Sequence, residues 1–325
     1  LRADLSGLDN GDVINFNFAA AKITAKGAGS VETIVVTGSN VTQTHERMTV
    51  SSPASGATWT IGSTQNIQWY YTGTHDKNVS IDYVVGATAY NITPNGSAVI
   101  TGLGTQASPY VYSWANIPSS GFTPSNNAKI KISNINFPNA GNVSAAFNLI
   151  GTSAAANHPA GAQLEALVGV TVNNAELMGF KMTTAGEALN VSCLVINLTQ
   201  TGLDAANFAG IELWEDTGGS SANGNLGDAG DTLKATGTIN AGATQITINT
   251  FTAPKNATTS YLLVADLSGI ANADTMALTL NPANITATGA DSTLAITTTG
   301  TVSAQSHTRP NVVVTTPASN WLAIN

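Results

Sequence analysis

Short runs in which apolar and polar residues alternate fill this chain, and stretches rich in Gly, Asn, Ser, Thr and Pro separate them. Asp12 to Phe18 alternates around Ile14, Phe16 and Phe18, Gly27 to Gly29 marks a turn, and Ile34 to Thr37 is β-branched. Further on come Ile67 to Tyr71, Val79 to Val85, Ser97 to Ile100, Tyr110 to Trp114, Lys129 to Ser133 and Ser144 to Ile150. The same texture continues through Ala166 to Val172, Leu177 to Thr183, Leu189 to Asn197, Gly210 to Glu215, Thr232 to Thr236, Gln245 to Asn249, Ser260 to Leu267, Met276 to Leu280, Asn284 to Ala287 and Leu294 to Thr298. A period of two with one polar face is the mark of antiparallel strands, and no segment carries a capped stripe at helical spacing. The expected fold class is all-β.

A second pattern lies over the first. Residues 3–47 match residues 265–309 without a gap at about two positions in five, finding such periods being the first step in reading a chain of this kind. Ala3-Asp4-Leu5-Ser6-Gly7 answers Ala265-Asp266-Leu267-Ser268-Gly269, and Gln43, His45 and Arg47 answer Gln305, His307 and Arg309. After a two-residue slip, Ser52-Pro53-Ala54-Ser55 answers Thr316-Pro317-Ala318-Ser319. The chain therefore reads as tandem antiparallel β-sandwiches of two alternating types. Residues 1–47 are the second half of one module, and residues 48–150 an immunoglobulin-like sandwich of seven strands. Residues 151–163, made of small residues, are a linker. Residues 164–309 are a larger sandwich of about nine strands, and residues 310–325 begin the next immunoglobulin-like unit. A half-module leaves strand edges open, so order in residues 1–47 and 310–325 is expected to depend on strands added by adjacent chain.

Composition narrows the classes of function. Only 9% of residues are charged, against about 25% in ordinary soluble domains, and the net charge is −8 with 11 Lys plus Arg. No basic stripe exists to neutralise phosphates, so nucleic acid is excluded as a partner. No run approaches the roughly 18 apolar residues of a membrane-spanning helix. The one cysteine, Cys193, rules out an internal disulfide and lies in an apolar run where it is expected to be buried.

Residues 53–62, Pro-Ala-Ser-Gly-Ala-Thr-Trp-Thr-Ile-Gly, followed by Ile67-Gln68-Trp69, resemble the opening of KNH-like immunoglobulin-fold domains, found in Ser/Thr-rich cell-wall and surface proteins. Tyr112 to Pro118 and Lys129 to Ile132 extend that resemblance across the domain. Residues 164–309 and 1–47 resemble, more loosely, repeat modules of large secreted prokaryotic surface proteins, through Ile211-Glu212-Leu213-Trp214-Glu215-Asp216 and Tyr261-Leu262-Leu263-Val264-Ala265-Asp266-Leu267. These resemblances imply sandwich architecture and an extracellular or cell-surface location.

The best candidate for chemistry is the loop from Glu215 to Asp231. Hard cations take six to eight oxygens, and Asp216, Asn223, Asn225, Asp228 and Asp231 with intervening glycines supply donors for a structural calcium ion. The competing reading is a solvated turn-rich loop, and the similar secreted modules lack the extra residues at 219–222. Gly102 to Ala107 imitates a dinucleotide loop but precedes a strand where a helix would be needed. His45 and His307, with Arg47 and Arg309 two residues on, read as one repeated hinge contact between modules. Three Trp in one sandwich, with Trp59 the most accessible by position, leave room for a sugar platform. No nucleophile or metal motif points to an enzyme. The expected function is an extracellular structural protein whose partners are copies of itself or adjacent repeats. The alternative is an adhesin stalk or carbohydrate-binding protein whose partners include surface glycans.

Overall fold

The computed structural model describes residues 48–71, 78–93, 100–135, 141–163, 167–217 and 222–311, with the backbone alone at 13–16, 25–26, 33–34, 41–44, 47 and 72. The described residues are all-β apart from two single 3-10 turns. Residue contacts divide the chain into two units, one of residues 1–117 with 127–148 and one of residues 118–126 with 149–325.

Four short strands come first: β1 (Val13–Phe16), β2 (Ala25–Lys26), β3 (Thr33–Ile34) and β4 (Val41–Thr44). β1 pairs β4 and β2 pairs β3, both antiparallel. The remaining side chains of residues 1–47 lie outside the described residues, as do residues 312–325, and with them the expectation that added strands order both ends.

Among the described residues the first sandwich has nine strands, where seven are expected: β5 (Arg47–Ser52), β6 (Thr58–Thr60), β7 (Gln65–Thr72), β8 (Val79–Val85), β9 (Thr88–Asn91), β10 (Tyr110–Trp114), β11 (Ser125–Asn134), β12 (Gly141–Val143) and β13 (Phe147–Ile150). One layer runs β10-β7-β5 and the other β6-β13-β11-β8-β9, with β12 beside β11. Strict alternation puts Ile67, Trp69 and Tyr71 of β7, Val79, Ile81 and Tyr83 of β8, and Ala128, Ile130 and Ile132 of β11 inside, while Lys129 and Lys131 face out. Aromatic rings bridge the layers. Trp114 lies 5.9 Å from Tyr83 and 6.4 Å from Trp59, and Trp59 lies 4.7 Å from Phe147. These are the offset and edge contacts that rings favour.

The second sandwich holds β14 (Thr152–Asn157), β15 (Thr171–Ala185), β16 (Leu189–Thr201), β17 (Phe208–Asp216), β18 (Thr232–Ile239), β19 (Gln245–Ile248), β20 (Phe251–Ala253), β21 (Thr258–Ser268), β22 (Thr275–Thr279), β23 (Ile285–Gly289), β24 (Thr298–Gly300) and β25 (Gln305–Thr308). One path, β24-β14-β15-β21-β17-β18-β19-β16-β22-β25, folds over at β18, and β20 and β23 also pair with β16. The first half of β18 pairs with β17 and its last three residues with β19, so β18 passes from one layer to the other. Phe180, Tyr261 and Leu263 of the first layer and Leu194, Ile196 and Ile248 of the second share one core.

Two boundaries differ from those the sequence suggests. The segment expected to be a linker contains β14, which pairs antiparallel with β15 and parallel with β24, so the second sandwich starts at Thr152. Glycine is what β24 needs at 300, because a Cβ there would stand 2.2 Å from the Ala155 carbonyl oxygen of β14. Among the described residues the larger sandwich has twelve strands where about nine are expected, since β14 and β25 join it and Asn249 and Thr250 separate β19 from β20.

Candidate functional site

The acidic loop connects β17 to β18, and residues 218–221 within it lie outside the described residues. Asp216 ends β17 with its side chain turned inward, 3% exposed. Its Oδ2 accepts the Gly224 N–H at 2.8 Å and lies 3.1 Å from His158 Nε2. His158 Nδ1 accepts the Ala160 N–H at 3.2 Å, which leaves the proton on Nε2, facing the carboxylate. Burial holds the His158 pKa below its ordinary 6.5; Asp216 pulls it upward and Lys181 adds to the lowering. Both ring nitrogens are engaged and neither side chain has exposed surface, so this pair does not face solvent.

Asn223, Asp228 and Asp231 bond within the loop. Asp231 Oδ1 accepts the Thr217 N–H, and its Oδ2 accepts those of Gly227 and Asp228, each at 3.0 Å. Asn223 Oδ1 accepts the Asn225 N–H at 2.9 Å, and Asn223 Nδ2 donates to Asp228 Oδ2 at 2.5 Å. Leu226 N–H donates to Glu176 Oε1 on β15 at 2.7 Å. Among the described residues no group of three His, Cys, Asp or Glu stands close enough to hold a metal ion. Of the five residues expected to hold calcium, Asp216, Asn223 and Asp231 accept backbone N–H groups, Asp228 accepts from the Asn223 amide, and Asn225 donates its backbone N–H.

Next to this loop, side chains close a strand edge. Register shifts between Val172 and Ala175 and between Glu176 and Met178 make β15 bulge against β21, which buries Leu177, Met178, Gly179 and Phe180 in succession. β14 covers the other edge of β15 only from Phe180 onward. Below that point β25 supplies the missing partners with side chains. Gln305 Oε1 accepts the N–H groups of Gln163 (3.0 Å) and Gly179 (3.1 Å), and its Nε2 donates to the Gly179 carbonyl at 2.7 Å. His307 Nε2 lies 2.8 Å from the Leu177 carbonyl. Arg309 Nη1 donates to the Ile270 carbonyl at 2.7 Å, and Arg309 N–H to that of Asp274 at 2.9 Å. The repeated Gln-x-His-x-Arg is thus a seal within one sandwich, and the expected hinge role is corrected for His307; the His45 side chain lies outside the described residues.

A third buried group went unseen in the sequence. Glu187, 0% exposed in the turn between β15 and β16, accepts N–H from Gly151, Asp291 and Ser292 and the Ser292 hydroxyl, at 2.8 to 2.9 Å. Gly289 has no room for a Cβ beside it, since one would stand 2.2 Å from Glu187 Oε2.

Two further expectations change. Trp59 is 5% exposed and belongs to the aromatic core, so its ring offers no face to a sugar. Cys193 is half-buried, at a bulge where β16 shifts register against β23. Two open grooves, of about 310 and 190 Å³, lie on the outer face of the second layer and are lined mostly by Thr, Ser and Asn. Among the described residues no helix is long and apolar enough to cross a membrane.

No protein-family model and no curated protein sequence matches the chain. Among solved structures it is similar to the fibronectin(III)-like modules of Clostridium thermocellum CbhA, at 11% identity and TM-score 0.17, covering 81% of this chain and 93% of that one. It is also similar to a chimeric titin Z1Z2 tandem at 14% identity and TM-score 0.21, covering 79% and 99%. Superposition at these scores is poor, and the sandwich assignment rests on the strand pairing described above.

Proposed function

We propose that this protein is an extracellular structural protein in which β-sandwiches of two types follow one another in a fibre, filament or surface layer, with copies of itself or adjacent repeats as its partners and no catalytic role. The observation that carries the reading is that the sequence repeat recurs as paired strands: β1 with β4 answers β22 with β25, two residues apart in register, and β2 with β3 recurs in the same register. β2 and β3 pair Ala25 with Ile34 and Lys26 with Thr33. Their counterparts 262 residues on are joined the same way, Thr288 bridging Ala295 and Ile296 N–H donating to the Ala287 carbonyl. Repeated structural units that stack along a chain accumulate stability through neighbour interfaces, which suits a mechanical task. The buried polar groups Gln305, His307, Asp216 and Glu187 all bond backbone, which supports a scaffold role over a reactive one. The resemblance of residues 53–62 and 67–69 to KNH-like domains supports the surface location.

Antibody labelling of intact and permeabilised cells, combined with a glycan array, tests the reading. Labelling of intact cells with no glycan bound is the expected result. Labelling only after permeabilisation contradicts the location, and selective glycan binding would transfer the protein to the adhesin class.

A further inference from the structure

Charge is segregated between the two layers of the second sandwich. The first carries Glu176 and Lys181 on β15, Glu212, Glu215 and Asp216 on β17, Lys234 on β18 and Asp266 on β21. Strands β16, β19, β20, β22, β23 and β25 of the second contain no Asp, Glu, Lys or Arg. At one border of that layer the charges cancel each other, Lys255 Nζ lying 3.2 Å from Asp291 Oδ2.

The outward positions of this neutral layer are set in rows. Thr252, Asn190 and Thr288 are direct cross-strand partners on β20, β16 and β23. Thr201, Thr275 and Thr308 are direct partners on β16, β22 and β25. All six are exposed or half-exposed. Pairing fixes such groups on a lattice of about 4.8 Å across the strands and about 6.6 Å along them.

We propose that this face is a lateral packing surface where copies of the chain meet face to face. Each hydroxyl and amide both donates and accepts, so the face is complementary to itself, which a two-fold contact between identical surfaces requires. Two chains of net charge −8 repel each other, and a face without charges is where they approach at least cost. The inference rests on the scaffold reading and adds to it the surface by which strands of the scaffold lie side by side.

Sedimentation velocity of the full chain over a concentration series tests it, with the double variants Thr275→Glu/Thr308→Glu and Thr275→Lys/Thr308→Lys. Wild type is expected to self-associate reversibly, each double variant at least tenfold more weakly with unchanged melting, and an equimolar mixture of the two to associate again. Wild type that stays monomeric, variants that associate as wild type does, or a mixture that fails to recover overturns the proposal. So does a monomeric wild type that binds a neutral polysaccharide such as cellulose through these residues. Failure here is distinguishable from failure of the functional reading: a surface-labelled chain that is monomeric sinks only the packing face, and a self-associating chain found inside cells sinks only the location.

Discussion

Replacing Gln305 with alanine removes two acceptor contacts and one donor contact from the unpaired edge of β15. The N–H groups of Gln163 and Gly179 and the Gly179 carbonyl lose their partners together. Gln305 is 3% exposed, and Gly179 lies against His158 and Gln163 with no space for a Cβ, so water reaches these groups only if the segment moves. An unsatisfied buried polar group costs about 1–3 kcal/mol. Three such groups, with partial relaxation, give a loss of about 3–5 kcal/mol, which lowers the melting temperature of a unit this size by about 6–20 °C at roughly 2–4 °C per kcal/mol. Urea denaturation gives the free energy, and hydrogen exchange locates it, with the Gly179 and Gln163 amides accelerating ahead of the core of β21. A loss below about 1 kcal/mol, or exchange that rises evenly across the sandwich, would refute the idea that side chains replace a strand at this edge.

Four other outcomes are expected. Glu187→Ala strands three backbone N–H groups and should lower stability in urea by about 3–6 kcal/mol, with Glu187→Gln intermediate because an amide offers one accepting oxygen in place of two. His158 has a folded pKa below its ordinary 6.5, so the unfolded chain takes up the proton first; the stability this group gives is whole above 6.5 and is lost as pH falls from there through the folded pKa. A urea series between neutral and mildly acid pH should show that loss in wild type and a flatter profile in His158→Gln. Trp59→Ala should destabilise the first sandwich by about 3–5 kcal/mol through its cavity, read by thermal melting, with no separate loss of ligand binding. Calcium added in excess, or chelator, should leave the melting of the second sandwich unchanged; a site held at a hundredfold its dissociation constant would add about 2.7 kcal/mol and a rise of about 5–10 °C, and such a rise would show that the acidic loop rearranges around an ion.

Strands whose side chains alternate strictly were legible from sequence. Val79–Val85 falls at the expected residues because large inward groups recur at every second position, and Tyr110–Trp114 does so with Tyr110 and Trp114 buried at its two ends. β14 was not legible, because Thr-Ser-Ala-Ala-Ala-Asn has the composition of a linker and one of the strands it pairs with, β24, lies some 145 residues away in sequence. The buried carboxylate of Glu187 was hidden for a related reason: its partners are backbone N–H groups 36, 104 and 105 residues distant, which leave no mark on residue type. The repeat did single out Gln305, His307 and Arg309, and correctly so. Recurrence shows that a position matters without showing which backbone its side chain meets, and the hinge reading failed at that step. The acidic loop offers the complementary lesson. Its Asp and Asn spacing suits an ion as well as it suits a loop that bonds its own amides, and nothing in the spacing shows that Asp216 turns toward His158.

The central claim is that the 262-residue sequence period is also the period of a structural assembly outside the cell. Electron micrographs of native material test it most directly. A regular axial repeat, bound by antibodies to this chain at a constant spacing, is the predicted result; dispersed particles of single-chain size with no axial period would contradict it.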